Sequence, residues 1–403
     1  MTKKQFLGSI SFLLIVAIMV FGLCDLFEME NTSNYNKRYY TYRDFPEDTV
    51  DAVLLGTSGI DRYWVPSQAY EEYGITVYPL STDAFPAWLY EYAVEEALKY
   101  QDVDLFILDI RPFTMANLDI GGMDVRSRRF LDVLPQFSIN RIKGCFKTMA
   151  IRDDVDSSAS RLDLSYLFPI IKFHSKWSDK KYLIENNWSN YPHEYLGFNI
   201  MERVTARPTP QKYRPYDAEY IEPLDPYIEE CLYEFLDYLK DKDLNVIFVD
   251  TPQIRYDDET GRSNMVYKIL EEEGFDCVHF YEENDVNNFT IDLDLETDFY
   301  NSGHANFYGA TKFTDVFAKY LVENYDLKDR RNDEHVKEHW DGVHDTLLAK
   351  IGELEEARRL KEEEEAAELA EALEKARAEE AAKAEENNNN VDAVTPPEVA
   401  AAQ

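Results

Sequence analysis

Cysteine is scarce. There are four in 403 residues, Cys24, Cys145, Cys231 and Cys277, at scattered positions. They lack the short spacing of a metal-binding pair and form no even disulfide framework, so they read as buried packing residues. Positive charge is scarce too. Lysine and arginine number 42 against 78 aspartates and glutamates, a formal charge of −36. Such an acidic chain repels phosphates, which argues against nucleic acid as a partner. His335, His339 and His344 lie near one another, but the His-Glu-x-x-His order of zinc proteases is missing. The glutamate is Glu338, directly before the second histidine. These histidines read as a solvated helix face, and no metal or other cofactor is expected.

The apolar content is ample for a core: 45% hydrophobic residues, with 28 tyrosines. Phe6 to Leu23 is almost purely apolar, with Lys3 and Lys4 before it and Asp25, Glu28 and Glu30 after it. A run of this length can cross a bilayer. Its positive flank predicts a cytoplasmic N-terminus with the bulk of the chain outside. A cleaved signal peptide is the rival, but Gly22-Leu23-Cys24 makes a poor cleavage site, so residues 1–25 are expected to remain as an anchor. The polar, tyrosine-rich residues 26–48 look like a stalk.

Strand-like apolar runs cover Val50–Leu55, Ile75–Leu80 and Val103–Ile110, with helical patterns at 66–73 and 87–100 between them. This alternation predicts an α/β fold, three-layered, with a parallel sheet of about five strands. Residues 112–225 carry no strand pattern and read as a helical, loop-rich insertion. Within it, Arg126, Arg128 and Arg129 form a basic cluster that suits either a lipid or teichoic-acid phosphate or an ordinary charged surface. The alternation resumes with helices at 226–240 and 263–273, strands at 245–250 and 277–281, and a last helix at 308–323. The domain is thus expected at 49–325 and a charged helical tail at 326–386. Residues 346–386 are rich in alanine and charge and have high helix propensity. Leu354, Leu360, Leu369 and Leu373 do not keep a heptad, so a solvated single helix is expected over a coiled coil. Residues 387–403 read as disordered.

Two stretches carry chemistry. Leu54-Leu55-Gly56-Thr57-Ser58-Gly59 puts a serine at the end of the first strand, and Asp298-Phe299-Tyr300-Asn301-Ser302-Gly303-His304 puts a histidine before the last helix. Ligands of parallel sheets bind beyond the carboxyl ends of the strands. A serine hydroxyl there needs a base, and His304 is the candidate. Taken singly, Ser58 is a turn or cap serine and His304 a loop histidine. Taken together, in this fold order, they suggest a hydrolase site assembled by folding.

These residues resemble the SGNH/GDSL hydrolase superfamily, and within it the membrane-anchored bacterial members that work with membrane-bound O-acyltransferases. The D-alanyl-lipoteichoic acid biosynthesis and alginate O-acetylation proteins belong to that group. Gly56-Thr57-Ser58 stands where the family has its nucleophile. Asn301 to His304, with Asn306 and Gly309-Ala310, stands where it has Asp-x-x-His and the turn that follows. The resemblance implies an esterase or O-acyltransferase at the outer face of a bacterial cell membrane. It further implies a cell-surface polysaccharide or teichoic acid as substrate and an acyltransferase as partner. Ser58 would be the nucleophile and His304 the base, held by Asp298 or Asn301. The N–H groups of Ser58 and Ser81 would form the oxyanion hole. The chain departs from the pattern in three places. Asn301 replaces the family's aspartate, Ser81 stands in the place of its glycine, and Asp109 and Arg111 end the third strand where it has an asparagine. The second reading is a non-catalytic assembly subunit that kept the fold and lost the site.

Overall fold

The computed structural model describes residues 2–28, 33–116, 118, 120–155, 163–188, 192–201, 217, 219–255, 257–282 and 289–391. Five short apolar runs form the sheet: β1 Ala52–Gly56, β2 Val77–Ser81, β3 Leu105–Asp109, β4 Val246–Asp250 and β5 Cys277–His279. They pair in parallel in the order β2-β1-β3-β4-β5. The strands β1, β2 and β3 are buried at every residue. That explains why they read as continuous rather than alternating apolar runs. The register aligns Gly56 with Ser81 and Leu55 with Leu108, so the carboxyl ends of the three strands finish level.

Alternate residues Val53, Leu55, Tyr78, Leu80, Phe106, Leu108 and Phe248 pack with Tyr39, Tyr42, Val94, Phe235 and Leu236 in one buried cluster. Elsewhere, Trp64 donates its indole N–H to the Val77 carbonyl at 2.9 Å and meets Phe317 edge to face. Phe317 belongs to the helix Phe307–Asn324, which packs against the helix Pro66–Tyr73.

Several expected boundaries move. Residues 33–48 are no stalk, because Asn34–Asp44 is a helix whose Asn36, Arg38, Tyr39, Thr41 and Tyr42 are buried. Tyr39 and Tyr42 give it an apolar stripe, and Tyr42 Oη bonds the Ala97 carbonyl at 3.1 Å. The helix expected at 87–100 is a 3₁₀ turn, Ala87–Leu89, followed by Tyr90–Ala97. The folded unit also extends past 325. It runs to Thr346, and the described residues from Leu347 to Val391 form a second unit. Within the first unit, the helix Glu334–Trp340 buries Val336 and Trp340. The histidines there are not simply solvated: His339 lies 5.5 Å from the Phe45 ring, and His344 Nδ1 is 3.3 Å from Ser67 Oγ.

The insertion contains the helices Ile120–Leu131, Ile139–Val155, Pro169–Phe173 and Lys180–Trp188, with no strand among its described residues. Its basic cluster turns inward. Arg128 bonds Asp163 and Ser165 and covers the Tyr166 ring at 3.9 Å, while Arg129 bonds the Asp83 carbonyl. All four cysteines are free. The final helix, Val343–Val391, is 49 residues long and carries pairs such as Arg359 with Glu356 and Glu363. It includes Asn387–Asn390, which were expected to be disordered. Propagating an existing helix costs far less than nucleating one. Residues 392–403, the rest of the expected disordered end, lie outside the described residues.

Among the described residues, one helix, Lys3–Leu26, is long and apolar enough to cross a membrane, with a mean hydropathy of 2.6. Its side chains are exposed along most of its length, but Cys24 near its end is buried and Phe21 meets Phe137 at 5.0 Å.

Candidate active site

The chain leaves β1 through Gly56 at φ 157°, a conformation that favours glycine. A Cβ at Gly56 would also lie 2.2 Å from Asp109 Cβ. This close approach lets Asp109, the last residue of β3, grip the segment before the serine. Asp109 Oδ2 accepts the Thr57 N–H at 3.0 Å and the Thr57 hydroxyl at 2.5 Å, and Oδ1 accepts the Arg111 N–H at 3.0 Å. Burial pushes the Asp109 carboxyl up, opposed by Arg111 and by the bonds from Thr57. Thr57 then caps the short helix Ser58–Asp61 by accepting the Gly59 N–H. Ser58 is half-buried at the first position of that helix, where its own N–H has no intrahelical acceptor.

His304 arrives from the other end of the chain. Phe299–Asn301 (β6) and His304–Ala305 (β7) form a tight antiparallel hairpin, and the helix Phe307–Asn324 starts two residues further on. Asn306 fixes that junction by accepting the N–H groups of Tyr308 and Gly309 and donating to the Thr297 carbonyl. Ser58 Oγ lies 2.8 Å from His304 Nε2, and His304 Nδ1 lies 2.8 Å from Asn301 Oδ1. The same Oδ1 accepts the Gly303 N–H at 2.9 Å. That bond turns the amide oxygen toward the ring, so Nδ1 carries the hydrogen and Nε2 is free to accept from Ser58.

Asp298 does not reach the ring. Its Oδ2 accepts the Asp294 N–H and pairs with Lys312 Nζ, both at 2.7 Å, and its carbonyl accepts the Asn306 N–H. Of the two candidates for holding His304, the contact belongs to Asn301. Ser81 is also misplaced for an oxyanion donor. Its carbonyl accepts Arg38 Nη1 at 2.7 Å, while the following amide, Thr82 N–H, turns inward to the Gly56 carbonyl at 3.2 Å. Successive N–H groups of a strand point to opposite edges, so the Ser81 N–H faces the outer edge of the sheet, away from Ser58.

Two arginines shape the site electrostatically. Arg111 donates to the Gly303 carbonyl at 3.0 Å and to Thr251 Oγ1 at 2.6 Å. A Cβ on Gly59 would lie 2.3 Å from its guanidinium carbon, so the cation rests against the backbone next to Ser58. No carboxylate lies within ion-pair distance of the Arg111 guanidinium among the described residues. Arg62, at the end of the Ser58 helix, makes a 3.5 Å contact with Asp83. Burial, then Arg111, then Arg62 hold the His304 imidazole down to about 3. Its partner on Nδ1 is an amide, which orients the ring but adds no negative charge.

Sequence reasoning noted Asp109 only as a departure at the end of the third strand and missed its grip on Thr57. It also passed over Arg38, which is fully buried. Arg38 bonds Asp61 within the Ser58 helix, the Ser81 carbonyl and the Gly197 carbonyl, tying these three segments together. A scan against protein-family models matches none, and a search of curated proteins returns no relative.

Proposed function

We propose that the chain is a membrane-anchored serine esterase or O-acyltransferase of the SGNH/GDSL type, its sheet forming the middle of three α/β/α layers. The observation that carries the reading is the hydrogen-bonded chain from Ser58 Oγ through His304 to Asn301 Oδ1 at the carboxyl edge of a parallel sheet. The Ser58 hydroxyl proton passes to His304 Nε2 as Oγ attacks the acyl carbonyl carbon. The tetrahedral intermediate collapses by expelling the alcohol, which takes the proton back from Nε2 and leaves an acyl-serine. An acceptor hydroxyl, or water, then repeats the steps in reverse. No cofactor enters the scheme. The Ser58 N–H and the Arg111 cation face the carbonyl oxygen as it gains charge. That charge also favours the imidazolium, which the two arginines otherwise disfavour.

Lys3 and Lys4 favour a cytoplasmic N-terminus, which sets the domain at the outer face. The resemblance points to a cell-surface polysaccharide or teichoic acid as acceptor and to a membrane-bound O-acyltransferase as partner. The second reading is a non-catalytic assembly subunit. It is favoured by the amide at 301 and by the low proton affinity of His304.

The test is labelling of the full chain in detergent by a serine-directed fluorophosphonate, together with hydrolysis of a small acetyl ester. Ser58→Ala is expected to abolish both, and His304→Ala to cut turnover by roughly 10³-fold or more. A well-folded wild type that neither labels nor turns over decides for the assembly subunit.

A further inference from the structure

The apolar helix Lys3–Leu26 does not stand clear of the domain. It contacts the helices Pro169–Phe173 and Lys180–Trp188 of the insertion, and Tyr182 Oη bonds the Glu28 carbonyl just past its end. Around this contact the domain exposes large apolar side chains: Phe137 at 63%, Ile139 at 55%, Ile171 at 46%, Trp177 at 70% and Ile184 at 59%. Isolated exposed hydrophobics are ordinary, but several grouped beside an apolar helix mark an interaction surface.

Charge and depth say which surface. The chain is strongly acidic as a whole, yet residues 172–181 hold Lys172, Lys176, Lys180 and Lys181 against Asp179 alone. Aromatic and aliphatic tips set among lysines are the composition of an element lying in a headgroup layer, where indole sits at the boundary and lysine snorkels to phosphate. A 24-residue helix is about 36 Å long, and the hydrocarbon core is about 30 Å thick. Phe21 is five residues from the end of that helix, hence near the edge of the hydrocarbon, and the Phe137 ring packed on it shares its depth.

We propose that Phe137, Ile139, Ile171, Trp177 and Ile184, with Lys176, Lys180 and Lys181 (Lys172 is paired with Asp132), form a platform that lies in the interface of the membrane entered by Lys3–Leu26. Its partners are acyl chains and anionic headgroups. The platform holds the domain against the bilayer, whereas a single span would leave it to swing. The inference rests on the reading of Lys3–Leu26 as a span and is independent of the chemistry at Ser58.

The test uses the full chain in vesicles of phosphatidylcholine with phosphatidylglycerol, prepared with and without brominated acyl chains. The emission of Trp177 is taken as the difference between wild type and Trp177→Phe, a substitution at an exposed site. Bromolipid is expected to lower that emission about two-fold or more, as for an interfacial indole, and aqueous iodide to have little effect. Replacing Lys176, Lys180 and Lys181 by glutamine is expected to weaken the bromolipid quenching. Trp177 quenched by iodide as strongly in vesicles as in detergent overturns the platform. Trp177 shielded from both quenchers also overturns it, since protein then covers the surface. Alkaline carbonate extraction separates the two levels. A chain that stays in the membrane with a water-exposed Trp177 overturns the platform and keeps the span, while a chain released by carbonate overturns both.

Discussion

At the scale of the residue, the site is defined by an amide where a carboxylate would balance the imidazolium. Burial, then Arg111 and Arg62, hold His304 down to about 3, and Asn301 on Nδ1 brings no negative charge to oppose them. In an unfolded chain a histidine titrates near 6.5. Below that value the unfolded state takes up a proton that the folded state refuses until about 3. His304 therefore contributes stability that is fully present above 6.5 and is lost as the pH falls toward 3. On the proposed chemistry the same neutrality would govern turnover. The kcat/KM profile of wild type is expected to be free of an imidazole limb between roughly pH 5 and 8. Asn301→Asp adds the missing charge and is expected to move the acid limb of kcat/KM upward by roughly one to three pH units. A wild-type limb near 6.5 would contradict the buried, arginine-flanked histidine.

At the scale of the element, the hairpin β6–β7 and the start of the helix Phe307–Asn324 divide labour between the two candidates for holding His304, an amide and a carboxylate. Asn301 serves the ring, and Asp298 serves the scaffold, bonding the Asp294 amide and Lys312. Asp298→Asn is expected to lower stability by about 1–3 kcal/mol while leaving fluorophosphonate labelling of Ser58 intact; thermal melts and labelling on one sample decide this. Spacing alone could not separate the two, because both lie upstream of His304 within reach and only the hairpin register makes Asn301 its neighbour. Ser81 fails for a similar reason. Its position was readable, but the direction of its amide depends on which strand β2 pairs with. The strands were legible because each is a short apolar run in a parallel sheet, buried throughout in β1, β2 and β3 and almost throughout in β4. The helix Asn34–Asp44 was not, since its buried residues include Asn36, Arg38 and Thr41, which look solvated until their partners are known.

For the whole molecule, the folded unit begins before the residues that look like its start. Arg38 and Asp61 are both fully buried and pair with each other, and the helix carrying Arg38 packs in the core of the domain. A fragment beginning at residue 45 leaves Asp61 buried without its cation, a loss of roughly 3–5 kcal/mol. Such a fragment is expected to be insoluble or molten, whereas one beginning at Ser33 and ending at Thr346 should retain the cooperative melt of the full chain; circular dichroism and heat-capacity traces compare them. The joining of residues 246 apart in sequence, Ser58 with His304, bears on timing. Until the chain has been made past residue 304, the serine has no base beside it, however well β1, β2 and β3 have come together. The pair closes only when the final helix of the domain docks, after the long loop between them has been ordered. Completion of the fold is thus the event that brings His304 to Ser58, and on the proposed chemistry a nascent or half-threaded chain travels with that chemistry unlit.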